Sequence, residues 1–192
     1  MITPHRDPSS APDPVHPTGP RRIIVGIGHD YRRDDAVGLV VARALAAHHD
    51  AGLEVCCLGE DLLRLLEFMQ PGAHIVIVDA VISGAPAGTL HHRDLLREPG
   101  GDDQSMGSSH LFGLGQVLAL ASALGRTPAA LHLIGVEAMD VSTGQGFSDP
   151  VAASANALIV SLAEKSDFCE KSDFFSPRAI SRSAARRRDR AT

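Results

Sequence analysis

The 192 residues include no tryptophan, one tyrosine and three cysteines, and they contain no long apolar run. Each shortage excludes something. Three cysteines, two of them the neighbours Cys56 and Cys57, make no disulfide framework, so a stapled extracellular scaffold is excluded and a cytoplasmic location is expected. Cys56 and Cys57 fall in a short apolar run and read as packing residues rather than a catalytic thiol. No stretch approaches the ~20 apolar residues that span a bilayer, so no membrane span is expected. The first residues are polar and Pro-rich, without the apolar centre of a secretory signal. A net charge of −5 gives no general affinity for nucleic acid. That charge is uneven: from Lys165 onward eight basic side chains stand against four acidic ones, so the body is acidic and the tail basic.

Residues 1–20 hold six of the twelve prolines and read as a disordered N-terminal segment. Residues 165–192 repeat "KSDF", run into "RRRDR", and read as a polar, basic, disordered tail. Residues 21–164 read as one domain in which strand and helix patterns alternate. Short β-branched runs predict strands over 21–28, 53–59, 73–81 and 130–137, with a further short strand within 88–95. Helices are predicted over 34–49, 60–72, 109–125 and 148–165. In the first, Asp34 reads as an N-cap, and Val37, Val40, Val41, Ala44 and Leu45 form the apolar face. Residues 97–109 read as a loop, a candidate docking surface or lid. The pattern defines a three-layer α/β/α sandwich around a mainly parallel, about five-stranded sheet. Such sheets bind ligands beyond the carboxyl ends of their strands.

Four segments deliver polar side chains to that edge: the turn with His29, Asp34 and Asp35; Asp79 after "IVIV"; His110 at a helix start; and residues 136–146 after the last strand. Asp79 interrupts an apolar run, and an ionised carboxylate there needs a cation, donors or solvent. Two carboxylates and one imidazole from three separate elements suit a borderline first-row divalent cation. Three protein ligands would leave coordination positions for water or for a substrate's own donors.

Other chemistries fit less well. Gly26-x-Gly28 follows a strand, but the third glycine of a dinucleotide fingerprint would fall on Tyr31, and no Walker lysine follows. The adjacent acids Asp34 and Asp35 would repel a pyrophosphate. No G-x-S-x-G elbow marks a serine hydrolase, although Ser108 and Ser109 stand beside His110.

The stretches "GIGHDYRRDDAVG", "IVIVDAV", "SSHLFGLGQVLALA", "IGVEAMD" and "GQGFSDPVAASANALI" occur in that order through residues 22–162. In pattern and spacing the sequence resembles the hydrogenase maturation endopeptidases, which process the large subunit of [NiFe] hydrogenases. Their opening turn reads G-x-G-N-x-x-x-x-D-[DE]-G-x-G; here His29 replaces the Asn and Ala36 replaces the glycine after the acid pair.

The resemblance implies that Asp35, Asp79 and His110 bind metal, that Asp35 or Asp79 serves the hydrolysis, and that His29 and Asp34 are additional candidates. It implies nickel recognised in the substrate, with cadmium or zinc able to substitute. The implied partner is the hydrogenase large-subunit precursor, whose C-terminal extension is removed after nickel insertion, and a monomer is expected. Two alternatives stand beside this: a nickel-sensing chaperone that holds the precursor without cutting it, and a nucleotide-binding α/β domain.

Overall fold

In the computed structural model of the chain, residues 20–48, 52–97 and 109–163 are described, with 109–112 described by backbone alone. The expected N-terminal segment, the basic tail and residues 98–108 of the expected loop lie outside the described residues.

Five strands form one sheet: β1 Arg22–Ile27, β2 Leu53–Gly59, β3 His74–Val81, β4 Leu90–Asp94 and β5 Ala130–Glu137. Their order is β2-β1-β3-β5-β4. The first four in that order run parallel, and β4 alone pairs antiparallel, with β5. The expected sandwich is therefore present, and β3 is central because its β-branched run suits burial on both faces.

Helices cover both faces: α1 Val37–Ala46, α2 Leu65–Phe68, α3 Ser109–Ala123 and α4 Asp149–Ala163. Alternation along the strands divides the core. Ile75, Ile77, Leu131 and Leu133 pack with Leu65, Phe68, Leu114, Val117 and Ala121, the side of α2 and α3. Val76, Val78, Ile134 and Val136 pack with Val37, Val41, Leu45, Leu158 and Leu162, the side of α1 and α4.

Three local expectations are corrected. Asp34 is not an N-cap: residues Arg33–Ala36 form a 3-10 turn ahead of α1, and Asp34 is buried within it. The buried residues of α1 are Val37, Gly38, Leu39, Val41, Ala42 and Leu45, whereas Val40 and Ala44 are only half-buried. The helix expected over 60–72 shrinks to a 3-10 turn, Leu62–Arg64, and the single turn of α2. Leu65, Phe68 and Met69 already reach the core from that one turn, while Leu63 faces outward, so a longer amphipathic helix has no buried face to fill.

Two glycines in the opening stretch let α1 settle on the strand ends. A β-carbon on Gly38 would strike the carbonyl oxygens of Val78 and Ile27, and one on Gly26 would strike the carbonyl of Gly38. This seat fixes the start of α1 against the ends of β1 and β3. Among the described residues no helix is long and apolar enough to cross a membrane.

Candidate functional site

Asp35 sits in the 3-10 turn three residues before the Gly38 seat, and Asp79 follows Val78, whose carbonyl forms part of that seat. Two acids far apart in sequence are thus brought to the same carboxyl edge. Both are nearly sequestered, with Asp35 at 7% and Asp79 at 1% exposure. Asp79 Oδ1 accepts the N–H of Ala80 at 2.9 Å. Asp79 is thus buried two residues before the end of β3, with a backbone donor on one carboxylate oxygen. Its position in β3 matches that of Ile75 and Ile77, so its side chain emerges on the α3 face of the sheet. Helix α3 begins at Ser109, which puts His110 in its first turn. The side chain of His110 lies outside the described residues. Among the described residues no three His, Cys, Asp or Glu side chains are gathered closely enough to hold a metal ion.

Asp34, an additional ligand candidate in the sequence, has another use. Its Oδ2 accepts the N–H groups of Met139 and Asp140 and the Ser148 hydroxyl, at 3.0, 2.9 and 2.9 Å, and its Oδ1 accepts the Ser148 N–H at 2.7 Å. Burial alone pushes this carboxyl up; the Ser148, Asp140 and Met139 donors outweigh it and hold the group below the ordinary carboxylate range. Asp34 therefore bolts the opening turn to the β5–α4 connection as an anion. The main chain reinforces the bolt: Arg33 N–H donates to Gly144 O at 3.2 Å and Gly144 N–H to Tyr31 O at 2.8 Å. Arg33 itself takes a left-handed backbone, φ 44°.

His29 occupies the place of an asparagine in the related turn pattern. Its Nδ1 accepts the Tyr31 N–H at 3.1 Å, the same closure that an asparagine side-chain oxygen makes two residues along. One ring nitrogen of His29 is thus engaged inside the turn. Ala36 has ordinary right-handed helical angles, φ −74° and ψ −3°, and needs no glycine. The two departures from the pattern are thus accommodated locally.

A second acid cluster was not singled out in the sequence. Glu137 ends β5 and is 1% exposed. Its Oε1 accepts the N–H groups of Ser83 and Gly84 at 2.7 and 2.9 Å. Its Oε2 accepts the Ser83 hydroxyl at 2.7 Å and meets His91 Nε2 at 2.8 Å. Burial pushes the Glu137 carboxyl up, but these partners, led by the Ser83 hydroxyl, bring it below the usual range. The sequence signal was an acid closing an apolar strand, within the stretch "IGVEAMD", and it cannot name partners 46 to 54 residues away.

The fold and these acids define a class: an open α/β sandwich with carboxylates gathered at the carboxyl edge of its parallel strands. Comparison with known proteins narrows that class. The hydrogenase maturation protease family model matches residues 40–165, and the chain belongs to that family. It is 30% identical over 133 residues to the hydrogenase expression/formation protein HupD of Thiocapsa roseopersicina and 29% identical over 140 residues to HupD of Rhodobacter capsulatus. Those matches take in 68% and 70% of this chain but only 60% and 65% of the relatives, less than two thirds of their length. Among solved structures it resembles the [NiFe] hydrogenase maturation protease HybD from Thermococcus kodakarensis, with 29% identity, a TM-score of 0.60, and coverage of 76% of this chain and 97% of the other. An endopeptidase from Escherichia coli superposes with a TM-score of 0.65 at 25% identity, covering 78% of this chain and 95% of its own.

Proposed function

We propose that this protein is an endopeptidase that removes the C-terminal extension of a [NiFe] hydrogenase large-subunit precursor after nickel has been inserted. The observation that supports the reading is that Asp35, three residues before the Gly38 seat on the Val78 carbonyl, and Asp79, next in chain to Val78, are both buried. Family membership supplies the reaction class. The nickel belongs to the substrate. Asp35, Asp79 and His110 supply oxygen and imidazole donors of the kind such an ion accepts, with cadmium or zinc as stand-ins.

In this reading the precursor's metal end docks against the three residues, and the peptide bond that follows lies beside the acids. One of the two carboxylates takes a proton from a water as its oxygen attacks the scissile carbonyl. The carbon–oxygen bond forms, the carbon–nitrogen bond breaks, and the proton passes to the departing amine. The exposed Tyr31, Ile82 and Met139 flank the same edge and suit a protein substrate.

The test is incubation of the purified chain with nickel-loaded and nickel-free precursor, followed by intact-mass measurement. Loss of the C-terminal peptide from the loaded form alone is expected. A stable complex with an unshortened precursor would instead identify a chaperone, and thermal stabilisation by a nucleotide but not by nickel would identify a nucleotide-binding domain.

A further inference from the structure

Register places the Glu137 cluster beside Asp79. Gly135 of β5 pairs with Asp79 on one side and with His91 of β4 on the other. Directly paired residues share a face of the sheet, so Asp79, Gly135 and His91 form one row on the α3 side. Glu137, two residues beyond Gly135, lies on that same side. Gly135 contributes no side chain to the row, and a β-carbon there would fall 2.7 Å from a Val81 methyl and 3.5 Å from the His91 β-carbon.

All the side-chain partners of Glu137 belong to the chain that leaves β3 or to β4. Ser83 and Gly84 come four and five residues after Asp79. The main chain of Glu137 grips the far end of the same connection: Gly88 N–H donates to Glu137 O, and Glu137 N–H to Thr89 O, both at 2.8 Å. Ser154 of α4 adds a hydroxyl bond to Gly88 O at 2.6 Å. One residue thus holds both ends of the stretch from Ile82 to Thr89, and that stretch presents exposed Ile82 at the site's edge.

We infer that Glu137 is a positioning residue for the proposed cleavage, fixing the Ile82–Thr89 connection and the His91 imidazole as a rigid wall against which the precursor docks. The role rests on the endopeptidase reading above. Glutamine can reproduce it: its oxygen accepts the Ser83 and Gly84 N–H groups, and its amide donates to the Ser83 oxygen and to His91 in the opposite tautomer. Alanine cannot. A wall that binds substrate and transition state alike acts on KM more than on kcat.

The experiment compares wild type, Glu137→Gln, Glu137→Ala and His91→Leu with nickel-loaded precursor, at a temperature where melting curves show each variant folded. Glu137→Ala is expected to raise KM at least fivefold with kcat within threefold, and His91→Leu to raise KM at least threefold. Glu137→Gln should stay within twofold of wild type in both constants. Amide exchange at Ser83 and Gly84 should quicken at least tenfold in Glu137→Ala and not in Glu137→Gln. Unchanged KM in both Glu137→Ala and His91→Leu overturns the inference, as does equal impairment of the Gln and Ala variants. If Glu137→Ala does not fold, His91→Leu and Glu137→Gln decide the matter. Wild-type protein that leaves the precursor whole overturns the endopeptidase reading instead, and unaltered amide exchange in Glu137→Ala overturns the positioning role whatever the wild type does.

Discussion

Asp34 and Ser148 are 114 residues apart in sequence, yet the Asp34 carboxylate receives both the N–H and the hydroxyl of Ser148, at 2.7 and 2.9 Å. Replacing Asp34 by Ala leaves those donors and the N–H groups of Met139 and Asp140 without their acceptor. The expected cost is about 3 kcal/mol of unfolding free energy, the range for orphaning several partly buried donors. Because folding lowers the pKa of this acid, its contribution is present above the unfolded value of about 3.9 and is lost as pH falls through the lower folded value. Urea denaturation between pH 6 and pH 3 should show wild type losing stability below about pH 4. Asp34→Asn should show a shallower loss; an equally steep loss would place the acid sensitivity elsewhere.

His29→Asn should be nearly silent in stability, within about 0.5 kcal/mol. The asparagine oxygen can take over the Tyr31 N–H that Nδ1 now accepts. Precursor processing should continue in this variant. Complete loss of cutting, with the melting temperature unchanged, would make the imidazole a participant in the chemistry.

Asp79→Asn and Asp35→Asn preserve the size of two buried side chains while removing their charge. Loss of whichever one is the base should slow precursor cleavage by about 10²–10⁴-fold, the range for removing a general base, and loss of the other should weaken docking of the metal end. His110→Ala should likewise abolish nickel-dependent cutting, with helix content unchanged by circular dichroism. Any one of these variants retaining wild-type cleavage removes that residue from the proposed machinery.

The seat of α1 makes a contrasting pair. Gly38→Ala drives a β-carbon into the carbonyls of Val78 and Ile27, neither of which can yield without moving its strand, so a loss of about 3 kcal/mol or outright insolubility is expected. Ala36→Gly meets no such geometry and should cost about 1 kcal/mol, from chain entropy and the loss of one buried methyl. Chemical denaturation of the two variants ranks them, and a Gly38→Ala protein as stable as wild type would refute the close approach.

Much of this arrangement was legible in the residues. The bounds of β2 and β5 follow directly from their apolar runs, and β3 announces itself by "IVIV". The carboxyl-edge location of Asp79 needs only the parallel-sheet rule. What could not be read was use. Asp34 and Asp35 are identical neighbours, and only the path of residues 139–148 tells which carboxylate is consumed by backbone donors. Glu137 looks like a second Asp79 until the antiparallel β4 brings His91 and the β3 exit brings Ser83. The Leu-rich run before Pro71 suggests a full helix because periodicity reports apolar spacing, not how much core remains to be filled.

The bolt between Asp34 and Ser148 also ties an early part of the chain to one synthesised much later. A ribosome that has delivered the chain only as far as β5 has already synthesised both acids and the histidine, but not the serine that secures the turn bearing the first of them. A chain truncated before that serine would carry Asp35, Asp79 and His110 yet lack the N–H and hydroxyl of Ser148 that hold Asp34.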